Sequence, residues 1–157
     1  MATFDRKFEI IQPTLDRLMR KPLEVADLGL LNPTGTSPVP LIDGEIVQVN
    51  ASYKWARGTD ATKPGFFCIE DRGDYGVQAS RKLSAVLGPT FEADTVVFDT
   101  AIATLGQALV AGAVNNSLSG SVARWGLVPA GAGIVIGYVM RLPASNGNRL
   151  RFIQTFA

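Results

Sequence analysis

The chain has 157 residues, with 15 Lys and Arg against 14 Asp and Glu, no His, one Cys, 16 Gly and 9 Pro, and 46% of its positions are hydrophobic. That is one domain's worth of chain and can bury a core without staples. The absence of His and the single thiol remove the parts needed for zinc fingers, His-based metal sites, Ser/His/Asp triads and Cys/His dyads, so no catalytic site, metal or cofactor is expected. A net charge of +1 gives no global field to hold nucleic acid or an anionic membrane, and neither is an expected partner.

Met1 to Phe8 mixes charge with aromatics and is not followed by the apolar run of a secretory signal, so export is not expected. Phe4, Phe8, Ile10 and Ile11 alternate loosely with Asp5, Lys7 and Glu9, as an extended arm does. Between Pro13 and Pro22 a short helix is predicted. Thr14 can cap it, Asp16 suits its first turn, Arg17, Arg20 and Lys21 suit its last turn, and Pro22 stops it. A helix of about two turns is unstable alone and must dock on something. Residues 1–24 are therefore expected to form an N-terminal arm with one short helix ahead of a single β domain over 25–157. The arm either packs on its own domain or reaches a neighbouring subunit, and its deletion is expected to leave a folded domain.

Gly29 to Pro40 holds three Pro and two Gly and reads as a loop. Short apolar or alternating runs follow at Glu45 to Asn50, Gly65 to Glu70, Tyr75 to Leu87, Phe91 to Phe98, Gln107 to Ala111, Ser119 to Trp125, Ile134 to Leu142 and Leu150 to Phe156. Val, Ile, Phe and Thr dominate them, as in half-buried strands. Six to eight short strands with frequent turns predict an all-β fold, a small barrel or sandwich. Cys68, within Phe66-Phe67-Cys68-Ile69, fits an inert core position. Ile102, Leu105, Leu109 and Val110 fit a helical period, but Gly106 and Gly112 weaken it, and a loop leading into a strand is expected. Gly126 to Met140 is too short and too rich in glycine to span a membrane and reads as a buried strand with a glycine-rich approach. The clearest hairpin joins Ile134–Leu142 to the last strand, with Asn146-Gly147 supplying positive φ angles. On that last strand Leu150, Phe152 and Gln154 share one face, and Arg149, Arg151 and Ile153 the other.

Charge is unevenly distributed. Residues 1–99 hold 11 basic and 14 acidic side chains, a balance of minus 3, whereas residues 100–157 hold Arg124, Arg141, Arg149 and Arg151 and no acid, a balance of plus 4. If the two parts occupy different faces, copies can associate head to tail or an Arg face can meet an acidic partner. If the parts interleave as strands, the charges pair within the domain.

Most local motifs have a structural explanation. The third glycine of Gly131-Ala132-Gly133…Gly137 is one position late for a dinucleotide loop, and close backbone approach accounts for these glycines. Glu70-Asp71-Arg72-Gly73-Asp74 lacks calcium-loop spacing and reads as a solvated turn, which also accounts for its Arg-Gly-Asp tripeptide. Asp94 and Asp99 do not form a facing pair of carboxylates. Trp55 and Trp125, each beside cations and glycines, either pack at strand ends or stack on a partner. The candidate interaction residues are Phe4, Phe8, Ile10, Arg17, Arg20, Trp55, Arg124, Trp125, Arg149 and Arg151.

Pro40-Leu-Ile-Asp-Gly44-Glu-Ile-Val-Gln-Val-Asn50, Gly137-Tyr-Val-Met-Arg-Leu-Pro143 and Asn148-Arg-Leu-Arg-Phe152 give an early Gly-Glu strand and a late Gly-Tyr-Val strand separated by glycine-rich turns. In this the chain resembles the capsid decoration (cement) proteins of tailed bacteriophages over residues 40–152. The resemblance implies a non-enzymatic virion protein, made in the host cytoplasm. It would bind the outside of an icosahedral shell as a dimer or trimer and bridge neighbouring major capsid subunits. Two other readings stay open. One is a carbohydrate- or receptor-binding piece of a phage tail that uses Trp55 and Trp125. The other is a small trimeric β nucleotide hydrolase of the dUTPase type, whose phosphate-binding segments the chain lacks.

Overall fold

A computed structural model of the chain describes residues 7–13, 17–32, 35–69, 81–114, 116 and 122–155. Among them are eleven strands: β1 (Phe8–Gln12), β2 (Met19–Glu24), β3 (Ile46–Val49), β4 (Trp55–Arg57), β5 (Phe66–Ile69), β6 (Lys82–Gly88), β7 (Glu92–Thr95), β8 (Ala108–Val114), β9 (Arg124–Pro129), β10 (Val135–Arg141) and β11 (Leu150–Gln154). They form a six-stranded sheet in the order β1-β7-β11-β10-β8-β9 and a five-stranded sheet in the order β2-β6-β5-β3-β4, each built of antiparallel pairs. The fold is an all-β sandwich and not a barrel.

The two sheets meet over a core that includes Phe8, Phe67, Phe91, Phe152, Ile46, Val86, Leu109, Leu127 and Leu150. At its centre Phe8 stacks on Phe67 at 5.6 Å, while Phe91 and Phe152 close around them at 5.0–6.4 Å between ring centroids. Such offset and edge-on pairs each add about 0.5–1.5 kcal/mol beyond their buried area. Phe8 and Phe152 come from opposite ends of the chain and Phe67 and Phe91 from between them, so the core forms only when the chain is nearly complete.

The five-stranded sheet is covered on both faces. Ile46, Phe67 and Val86 point to the inter-sheet core, and their neighbours Val47, Cys68 and Ala85 point into a second core with Leu23, Val25, Trp55 and Leu83. Leu30 and Leu31 of the 3-10 turn Leu28–Leu31, together with Leu41, seal that second core. Phe66–Ile69 is apolar at every position because a strand buried on both faces has no polar side to present. Cys68 is fully buried there, and its Sγ lies 3.1 Å from the Ile42 carbonyl oxygen. Val25 bridges Trp55, so the sheet curls until its edges touch at one point without closing.

Several expectations are corrected. The helix predicted across Pro13–Pro22 is replaced from Met19 onward by β2, which pairs with β6; residues 14–16 lie outside the described residues. The cations read as a helix C-terminus guard an open sheet edge instead, and Pro22 is tolerated on an edge strand, which has one side free of ladder partners. Of the two placements expected for the first 24 residues, the described ones take packing on the domain itself, as integral strands: β1 is built into one sheet, β2 into the other, and Phe8, Leu18 and Leu23 are buried. The strands outnumber the six to eight expected because β1, β2 and the three-residue β4 join the count. β9 runs past the expected end at Trp125 to Pro129, through Gly126, where an added Cβ would lie 2.5 Å from Val97. In the last hairpin the positive φ angles fall on Gly147 and Asn148, not on Asn146, whose amide nitrogen donates to Asp94.

Other readings hold. Thr104 to Gly106 turns into β8, and the faces of β11 alternate as expected, with Leu150, Phe152 and Gln154 buried. An added Cβ would lie 2.5 Å from the Ile153 carbonyl oxygen at Gly137 and 3.0 Å from the Ala61 carbonyl oxygen at Gly133, the close approach inferred for these glycines, but at Gly131 it would meet nothing within 4 Å, so there the inference fails. The acidic Glu70–Asp74 turn lies outside the described residues. Among the described residues no helix is long and apolar enough to cross a membrane.

Candidate protein-docking face

The interleaving of strands consumes most of the C-terminal positive charge. Arg124, on β9, reaches across the sandwich to Glu45 at 2.8 Å. Glu45 is fully buried and also takes two bonds from Arg57, at 2.8 and 3.1 Å, and one from the Ile42 amide at 2.8 Å. The two guanidinium groups also donate to the Val39 and Pro40 carbonyls, so this cluster ties both sheets to the Gly29–Pro40 loop. Arg151 forms a forked pair with buried Asp94 at 2.9 and 3.1 Å, and Arg149 bridges Glu9 at 3.2 Å and Asp94 at 3.7 Å. The hydrogen-bonded Asp94 carboxylate, more than any other group, raises the pKa of the Arg151 guanidinium above its ordinary value. The charges therefore pair within the domain, which is one of the two arrangements the sequence leaves open.

The remaining predicted site residues scatter. Phe8 is in the core and Ile10 packs against it, while Phe4 lies outside the described residues. Arg17 and Arg20 are exposed and stand apart from the arginines of the other sheet. Trp55 is buried, its indole N–H donating to the Lys21 carbonyl at 3.1 Å, so its ring has no free face for a sugar or a base. Trp125 is half-buried against Gly58, where an added Cβ would sit 1.9 Å from the indole Cδ1. Gly58→Ala is accordingly expected to lower stability by about 1–3 kcal/mol through overpacking. Urea unfolding measures this, and a wild-type midpoint would show that Trp125 can move aside.

A surface cavity of about 460 Å³ lies beside β3 and β4, lined in part by Gln48, Asn50, Arg57, Asp60 and Lys63. Its polar groups serve the loop that borders it. The Gln48 amide donates to the Asp60 and Lys63 carbonyls and accepts from the Thr59 and Asp60 amides. Hydrogen bonds from the Thr62 hydroxyl and amide, at 2.6 and 2.9 Å, hold the Asp60 carboxyl below its ordinary value of 3.8. Among the described residues no group of three or more His, Cys, Asp or Glu is placed to hold a metal ion.

The surface feature that departs from ordinary sheet chemistry is on β10. This strand lies inside its sheet, between β11 and β8. Gly137 and Val139 face the core, yet Tyr138 and Met140 on the opposite side are 41% and 49% exposed, and Ile134 just before the strand is 39% exposed. An open sheet face normally carries polar residues at such positions. A bulge sets both Met140 and Arg141 opposite Arg151, and Tyr138, Met140 and Arg141 are all exposed. Among the described residues Arg141 is the one C-terminal arginine with no acidic partner. Half-buried Ile153 stands beside Tyr138 on β11. None of Tyr138, Met140 and Arg141 is among the predicted interaction residues, although the unbroken apolar run Ile134-Val-Ile-Gly-Tyr-Val-Met140 carried the signal. No family model, curated protein or solved structure matches this chain.

Proposed function

We propose that the protein is a non-enzymatic structural subunit of a virion that decorates the outside of an icosahedral capsid and bridges its major capsid subunits. The observation that carries this reading is β10, an interior strand that buries Gly137 and Val139 on one side while Tyr138 and Met140 on the other stay 41% and 49% exposed. An apolar row ending in Arg141, set on a rigid interior strand, has the make-up of a contact between proteins, as a subunit that works within a larger assembly requires. The resemblance of residues 40–152 to decoration proteins supplies the kind of assembly. The tail-receptor reading is weaker because Trp55, one of its two stacking residues, lies in the core.

The purified protein is expected to co-sediment with empty icosahedral shells assembled from tailed-phage major capsid proteins and to raise the temperature at which those shells come apart. Failure to bind any shell of such a panel, including that of the phage or prophage whose genome encodes this chain, would falsify the reading.

A further inference from the structure

The outward face of the six-stranded sheet also carries a pattern across its strands. By register, Arg141 on β10, Arg151 on β11, Asp94 on β7 and Glu9 on β1 stand side by side, so the row runs cation, cation, anion, anion. The adjacent row begins with Tyr138, Ile153 and Glu92. It ends at β1 on exposed Gln12, the register partner of Glu92, beside which a bulge sets half-buried Ile11 out of register and outside the main core cluster.

We propose that this face is the contact between two copies of the chain, related by a two-fold axis that lies in the face, parallel to the strands and between β7 and β11. The inference rests on reading the face as a protein contact and names what occupies it. A two-fold contact requires a patch that complements itself, and a row whose charges change sign about its middle does so. Rotation about the axis lays β10 of one protomer over β1 of its partner. Arg141 and Met140 then meet the partner's Glu9, Tyr138 meets the end of the partner's β1 at Ile11 and Gln12, and every contact occurs twice. Both ends of the row stay accessible: Arg141 is exposed and lacks an acidic partner among the described residues, and the Glu9 side chain, paired with Arg149 at 3.2 Å, keeps 36% of its surface exposed. An unrelated acidic protein would match the β10 end of the face and be repelled at the β1 end, where Glu9 and Glu92 stand. A second copy matches both ends.

The test uses the full chain without shells and reads its mass in solution by light scattering. The wild type is expected at twice the chain mass. Arg141→Glu sets acid against acid at both contacts, Glu9→Lys sets base against base, and each variant alone is expected at the mass of one chain. Mixing the two variants sets the introduced glutamate against the introduced lysine at one contact and leaves Arg141 against Glu9 at the other, so the two-chain mass is expected to return. Thermal melts show that each variant is folded, and the double variant in one chain, also expected as a dimer, serves if either single variant is not. A one-chain mass for the wild type overturns the inference, as does a dimer that the single changes leave intact or that neither the mixture nor the double variant restores. Shell binding is measured separately, so a monomer that binds shells would sink this inference alone, and a dimer that binds none would sink the decoration reading alone.

Discussion

Glu45→Ala is expected to destabilise the sandwich by about 3–5 kcal/mol, the usual cost of removing one partner from a buried ion pair. Glu45 has no exposed surface, and its two oxygens accept bonds from Arg57, Arg124 and the Ile42 amide. Without the carboxylate, two guanidinium groups are left facing each other beside the Val39 and Pro40 carbonyls, with Arg124 only 8% exposed. The loss exceeds what any surface pair in the chain can cause, since an exposed pair such as Lys54–Glu24, 3.6 Å apart, contributes at most about 1 kcal/mol. Replacing Glu45, Arg57 and Arg124 together by apolar residues of similar volume is expected to recover much of the loss, because the penalty comes from the uncompensated charges. Urea unfolding of the single and triple variants measures both, and a single-variant loss below about 1 kcal/mol would show that water reaches the arginines.

Phe8→Ala is expected to cost about 3–5 kcal/mol, as truncation of a buried ring does. The ring is 7% exposed and touches Phe67, Phe91 and Phe152. Removing residues 1–24 goes further. It strips β1 from β7 and β2 from β6 and takes Leu18 and Leu23 from the two cores. Against a typical total stability of about 5–15 kcal/mol, that loss leaves no cooperative fold. The truncated chain is therefore expected to show no unfolding transition and few dispersed amide resonances, contrary to the folded domain that the sequence suggests. A sharp melt from the truncated protein would mean that residues 25–157 hold their own core.

The first 24 residues are a place where local reading of the chain goes astray. Around Arg17, Arg20, Lys21 and Pro22 a helix end and a guarded edge strand call for the same residue types. The choice between them depended on β6, whose partner residues lie some sixty positions away. Phe8 looked like part of an exposed arm because its alternating neighbours are equally consistent with an edge strand, and its burial depends on the ring of Phe152 at the far end of the chain. Trp55 likewise showed only cations and glycines nearby in sequence, while its hydrogen-bond partner is the Lys21 carbonyl.

Read as a chain, this protein already disclosed its all-β class, most of its strands, the buried thiol of Cys68, the alternating faces of β11 and an acid-free C-terminal segment. These follow from short-range rules: side-chain period, turn chemistry and composition act over a few residues. What the arginines do was decided only when the sheets assembled. Arg124 finds Glu45 across 79 positions and Arg151 finds Asp94 across 57, and the burial of those carboxylates makes the pairings obligatory. The same assembly left Arg141 exposed and put Tyr138 and Met140 on the uncovered side of β10. Which face of a strand is covered depends on the other sheet, and an apolar run such as Ile134–Met140 does not specify it.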